Sequence, residues 1–146
     1  MTGSLQLDLG VAVGRLALAA ALGMVIGLER TYRAKTAGIR THFLVALGSA
    51  LFMIVSRYGF DGTGDPGRVA AQIVSGIGFL GAGTIIMQKQ VVHGLTTAAG
   101  MWVAAGIGMA SAAGLYAIAV IATVLALIGL ELHGHIIRLL RAKRES

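Results

Sequence analysis

Apolar residues run along this chain in stretches too long for one side of a small globule, and short charged segments break them at intervals. The first stretch runs from about Leu9 to Leu28, interrupted only by Arg15; the second spans Thr41 to Ser56, and the third Val69 to Met87. An α-helix rises 1.5 Å per residue, and a hydrocarbon core is ~30 Å thick, so runs of this kind predict membrane-spanning helices. From Gly94 to Leu130 no residue is charged. One continuous helix of that length would measure about 55 Å and must fold back on itself. The small residues Ser111, Ala112, Ala113 and Gly114 supply the turn, which gives a fourth span near 95–110 and a fifth near 115–132. The pattern predicts an all-α membrane protein, a polytopic bundle of about five transmembrane helices in one domain over 9–132, followed by a basic tail over 133–146.

Composition agrees with this pattern. Apolar residues make up 56% of the 146-residue chain and charged residues only 12%, against roughly a quarter charged in an ordinary soluble domain. The net charge of +6 could suggest a nucleic-acid partner, but the basic residues sit between the apolar runs without interleaved aromatics. No nucleic-acid motif is present, and the lipid bilayer is the partner the sequence calls for. The chain contains no cysteine, so disulfide, thiolate-metal and thiol-nucleophile chemistry are excluded. The N-terminal segment lacks the basic start of a cleaved signal peptide, so the first run is expected to remain as a helix.

Charge also predicts orientation. Arg30, Arg33, Lys35 and Arg40 follow the first span, Lys89 the third, and Arg138, Arg141, Lys143 and Arg144 the fifth. With five spans all of these fall on one side, which the positive-inside rule makes cytoplasmic, with the N-terminus outside. The opposite side carries Arg57 and Arg68 beside Asp61 and Asp65.

Glycine changes the picture inside the spans. The chain holds 22 glycines and one proline, and in lipid small residues let helix backbones approach closely. Gly10/Gly14 and Gly23/Gly27 are GxxxG pairs. Gly76, Gly78, Gly81 and Gly83 in span three, with Trp102 in span four, are candidate packing positions that would place these two spans near the bundle centre. The run Gly76 to Gly83 matches the dinucleotide-binding pattern G-x-G-x-x-G, but it lies inside a span with no preceding strand and no acid following before Glu131, so helix packing is the reading adopted.

Candidate chemistry lies at the span ends. Glu29, Arg30, Arg40 and His42 flank the first basic loop, where basic residues anchor at the interface. Glu29 adds little to orientation and is expected to pair with Arg30 or Arg40 or to contact a cation. Asp61, Thr63 and Asp65 begin a calcium-loop spacing that fails at Pro66 and Gln72, so Asp65 is expected to cap the helix after it. Arg15, Gln72, Ser75, Thr96 and Thr97 are polar positions that a span would turn inward or toward its ends. His133 and His135 beside Glu131 are two apart and point in different directions on a helix, so they are read as interfacial. No nucleophile and base pairing is visible, and no enzyme activity is expected.

The segments IGLER at Ile26–Arg30, AGIRTHFLVALGSALF at Ala37–Phe52, DPGRVAAQIVSGIGFLGAGTI at Asp65–Ile85 and VHGLTTAAGMWVAAGIGMASAAG at Val92–Gly114 together resemble the bacterial MgtC/SapB membrane proteins. The resemblance covers most of 14–130. It implies an inner-membrane protein of about five spans linked to magnesium homeostasis, by transport or sensing or by regulation. Some members are known as magnesium transporters, while the name-giving member looks more like a regulator that binds other membrane proteins, including the F-type ATP synthase. Many members carry a soluble C-terminal domain that this chain is expected to lack. The family pattern falls on Glu29, Arg30, Arg40, Thr41, His42, Arg68, Gln72, Ser75, Thr96, Thr97, Trp102 and the span-three glycines. From it come two expectations. In one, Glu29 and Asp65 are the anionic contacts of a transiently bound Mg2+, with Gln72, Ser75, Thr96 and Thr97 as neutral oxygens; the identity of any metal ligand set stays open and no resident cofactor is expected. In the other, glycine-rich faces bind a second copy or another inner-membrane protein, while Arg30, Arg40, His42 and Arg68 form an interfacial charge cluster.

Overall fold

The computed structural model describes residues 7–60 and 65–142, with the backbone alone for Pro66 and 133–142. Five helices follow one another: α1 Leu9–Tyr32, α2 Ile39–Tyr58, α3 Pro66–Ala82, α4 Leu95–Ala112 and α5 Tyr116–Ala142, with strands β1 Ile86–Gln88 and β2 Val91–His93 between α3 and α4. Three of them, α1, α2 and α4, are long and apolar enough to cross a membrane. The α3 helix and the apolar stretch Tyr116–Leu132 of α5 are shorter, about 25 Å each at 1.5 Å per residue.

Local sequence explains each boundary. Asp8 starts α1 by accepting from the Gly10 and Val11 amides at 2.8 and 3.1 Å, as an N-cap should. At the other end the Ala34 amide bonds to the Thr31 carbonyl and the Lys35 amide to the Arg30 carbonyl, the paired closure of a Schellman turn. That turn places Ala34 at φ 51°, a left-handed conformation that glycine usually takes. Thr31 then ties α1 to α2, its hydroxyl accepting from the Ile39 amide at 2.9 Å. Asp65 caps α3 through the Gly67 amide at 2.8 Å, with Pro66 at the first turn. The α4–α5 turn is a second Schellman closure, with Gly114 at φ +83° and the Leu115 amide bonded to the Ala110 carbonyl at 2.9 Å.

The α4 helix is the hub, packed against α1, α2, α3 and α5. Small residues make this possible. A Cβ on Gly23 would stand 2.6 Å from the His42 carbonyl oxygen, and one on Gly27 2.5 Å from the Ile39 Cα. A Cβ on Gly108 would overlap the Ala46 carbonyl. Ala19, Ala50 and Ala112 fill one core cluster; Ile26, Ile107 and Ala119 fill another. Phe52, Phe79, Trp102, Ile121 and Leu125 face outward, as bilayer-facing residues do, because lipid is as apolar as they are.

Three expectations need correction. The third span was expected over 69–87 at the bundle centre; α3 instead ends at Ala82 and lies at the edge, against α2 and α4. The residues beyond it form an antiparallel hairpin with Met87 opposite Val92 and Gln88 opposite Val91. Its turn residues Lys89 and Gln90 have φ 49° and 64°, and the β-branched Ile85, Ile86, Val91 and Val92 suit the flanking strands. Among the described residues Gly76 and Gly78 do not pack, since a Cβ on either meets nothing within 4 Å; Gly83 meets carbonyls of its own helix, and Gly81 packs, at 3.3 Å from the Ala98 Cβ. Trp102 is exposed rather than packed, because the α4 stripe of Gly100, Met101, Ala104, Ala105 and Gly108 turns inward instead. Helix α5 runs on through the first part of the basic tail to Ala142.

Candidate functional site

Helix alternation gathers the ends of the elements into two clusters, and each holds an arginine reaching inward. At one end Arg15 of α1 donates to the Tyr58 hydroxyl at 3.0 Å, the Ala112 carbonyl at 2.9 Å and the Tyr116 hydroxyl at 3.3 Å. Its guanidinium also lies 5.9 Å from the Tyr58 ring centroid, within cation–π range. The arginine is thereby satisfied, and it locks α1, α2, α4 and α5 together. Asp65 and Arg68 open α3, both exposed, with Asp65 engaged as its cap. Asp61 and Thr63 lie outside the described residues.

The other end is different. Arg30 is 3% exposed, yet among the described residues its side chain makes one hydrogen bond, from Nη2 to the Thr97 hydroxyl at 3.2 Å. Glu29 stands beside it, 3.7 Å from Arg30 Nη1 and 3.6 Å from Arg33 Nε. Arg33 in turn pairs with Glu131 of α5. Among the described residues, Glu29 Oε2, Arg30 Nε and Arg33 Nε are all buried without a hydrogen-bond partner. Buried polar atoms are rarely left so. His42, fully buried in α2, donates from Nδ1 to the Gly38 carbonyl at 3.0 Å, which leaves Nε2 as an acceptor with no partner, facing Gly100.

These groups border a cavity of about 600 Å3 among the end of α1, β2, the start of α4 and α5, lined by Glu29, Arg30, Arg33, Lys35, His93 and Thr97 among others. The structure thus brings together Glu29, Arg30, Thr96 and Thr97, with His42 just behind. It does not bring Gln72 or Ser75 there. Both are exposed on α3, where Gln72 lines an apolar groove of about 500 Å3 between α2 and α3. Arg40 is exposed on the first turn of α2. Among the described residues no group of three or more histidine and acidic side chains could hold a metal ion. Arg33, Lys35 and Glu131, read from sequence as topology signals and a span boundary, line or close the site. The Glu29–Arg33 spacing of four was the available signal, since such pairs are neighbours on a helix.

Comparison with known proteins gives this arrangement a lineage. The family model of the MgtC family matches residues 16–139. The chain belongs to the MgtC family. It is 50% identical over 124 residues to the "Putative magnesium transporter YhiD" of Escherichia coli K12, covering 80% of this chain and 58% of that protein. It is 48% identical over 106 residues to protein MgtC of Salmonella typhimurium LT2, covering 73% of this chain and 45% of that one. An uncharacterized protein of Synechocystis, slr0014, is 45% identical over 114 residues, covering 78% of this chain and 48% of its own length. The chain therefore spans about half the length of the curated relatives it matches. No solved structure matches it.

Proposed function

We propose that this chain is a multi-pass protein of the bacterial inner membrane that serves magnesium homeostasis as a non-transporting regulator, engaging another membrane protein through its helix faces. The observation that carries this reading is the closure of the α1–α2–α4 interior, where glycines put backbone against backbone at Gly23–His42, Gly27–Ile39 and Gly108–Ala46. Helices in such contact leave no room between them for a hydrated ion. The open face of α3, where a Cβ on Gly76 or Gly78 would meet nothing within 4 Å among the described residues, offers a partner helix a surface of close approach.

Transport or sensing by Glu29 is the second reading, and one observation favours it: among the described residues Glu29 Oε2 is buried without a hydrogen-bond partner, and Glu29 lines the cavity of about 600 Å3. Electrostatics weigh against it. Glu29 is flanked by the Arg30 and Arg33 guanidiniums, whose combined repulsion of a divalent ion is of the same order as the attraction of one carboxylate for it. The name of the Escherichia coli relative supports a role tied to magnesium under either reading.

Proteoliposomes loaded with a magnesium indicator test the choice. Uptake no faster than in empty liposomes is expected. Saturable uptake that falls in Glu29→Gln would overturn the regulatory reading. In cells, Gly78→Leu should abolish co-purification of the membrane partner while Glu29→Gln preserves it.

A further inference from the structure

Beyond this reading, the cavity at the basic end has the chemistry of an anion site. We propose that it binds a phosphate group, carried on an anionic lipid headgroup or as free phosphate. Among the described residues its lining holds three cations, Arg30, Arg33 and Lys35, against one acid, Glu29. Glu131 pairs with Arg33. Arg30 is the decisive group: a residue 3% exposed whose guanidinium, among the described residues, makes one hydrogen bond and keeps a buried Nε with no acceptor. A phosphate oxygen is the acceptor that a planar arginine fork fits best.

The start of α4 adds donors of its own. Gly94 takes φ +92° and brings no side chain to cap the helix, so the amides of Leu95, Thr96 and Thr97 open the helix without a side-chain acceptor. All three residues line the same cavity. Orphan amides and the positive end of a helix dipole favour an anion there. Because the Cβ of any residue at position 94 would collide with the Thr84 carbonyl, the fold keeps that end bare. Beside it the hairpin exposes Met87 and Val91, while Val92 and His93 border the cavity, an arrangement suited to a headgroup whose acyl chains lie alongside. Glu29 does not oppose this, since it is held between Arg30 and Arg33 and neutralises only part of their charge.

The full chain, purified into nanodiscs of phosphatidylcholine alone, is titrated with inorganic phosphate against a chloride control. In parallel, protein from mixed phosphatidylcholine and phosphatidylglycerol is examined by native mass spectrometry for retained lipid. Saturable phosphate binding identifies free phosphate as the ligand, and selective retention of phosphatidylglycerol identifies a headgroup; either supports the site. Lys35→Gln, at an exposed position that folding does not need, should weaken the observed binding about tenfold, the loss of one charge-assisted contact. Arg30→Lys, which keeps the charge and removes the fork, should weaken it as well. Binding of neither ligand, or binding unchanged in Lys35→Gln, overturns the proposal. None of these readings depends on magnesium flux or partner capture, so the site and the regulatory function stand or fall separately.

Discussion

Gly108→Ala tests whether the backbone contact between α2 and α4 holds the bundle together. The added Cβ would lie 2.9 Å from the Ala46 carbonyl carbon and 3.1 Å from its Cα, and closer still to the oxygen. Carbon atoms in favourable contact sit about 3.5–4.0 Å apart, so the two helices must separate by about 0.5–1 Å. Overpacking of this kind costs about 1–3 kcal/mol. Gly106→Ala, two residues away on the same helix, is the control, because a Cβ there meets nothing within 4 Å. Both substitutions gain about the same helix propensity, up to about 1 kcal/mol. The difference between them therefore isolates the collision. For a chain of this size about 1 kcal/mol moves the midpoint by about 2–4 °C, so thermal unfolding in detergent should place Gly108→Ala about 3–10 °C below Gly106→Ala. Equal midpoints would refute the claim that α2 and α4 touch through their backbones, and with it the argument for a closed interior.

Other substitutions probe the two arginine clusters. Glu29→Gln should destabilise by about 3 kcal/mol, because it strips the buried Arg30 of its counter-charge, whereas Glu131→Gln, at a half-exposed pair, should cost no more than about 1 kcal/mol; chemical denaturation that ranks them in the opposite order would refute the shared role of Glu29. Arg15→Leu should cost about 1–3 kcal/mol by leaving the Tyr58 and Tyr116 hydroxyls and the Ala112 carbonyl without their donor, again read by unfolding. Ala34→Gly should raise the midpoint slightly, by about 0.5–1 kcal/mol of relieved left-handed strain; no gain would mean that the turn is not held in that conformation.

Much of this architecture was legible because hydrophobic runs and charge breaks are one-dimensional signals. The α4–α5 turn is a clear case. Thirty-odd uncharged residues cannot span a bilayer once, and Gly114 is the residue that can take the left-handed turn. The hairpin was not legible, since the residues at its turn, Lys89 and Gln90, are not the Asn-Gly type that announces two left-handed positions, and Ile85 to Met87 read as the end of an apolar span. Packing was misjudged for a related reason. Counting glycines marks span three as central, but a glycine helps two helices approach only if a partner stands opposite it. Gly108 has such a partner in Ala46; Gly76 and Gly78 have none among the described residues. At the site, Glu29 stood out because an acid at a span boundary adds little to orientation, while Arg30, Arg33 and Lys35 were read as topology signals, because a basic residue that anchors at an interface looks the same in sequence as one that turns into a cavity.

The contrast between Arg15 and Arg30 is what the proposed anion site rests on. Both are arginines on α1, and a structure that needed only to place them at the membrane surface could treat them alike. Arg15 is given two hydroxyls, a carbonyl and an aromatic face, so it closes its end of the bundle and leaves nothing for a ligand to do. Arg30 is more deeply enclosed and receives one hydroxyl and a shared carboxylate. A buried guanidinium left short of acceptors is destabilising, and folding alone gives no reason to keep it so. The deficit sits beside uncapped amides and an open cavity, where a ligand can supply what the chain does not. On the proposal made above, one end of this bundle is closed by its own side chains and the other is completed by a bound anion, and Arg15 and Arg30 mark the two.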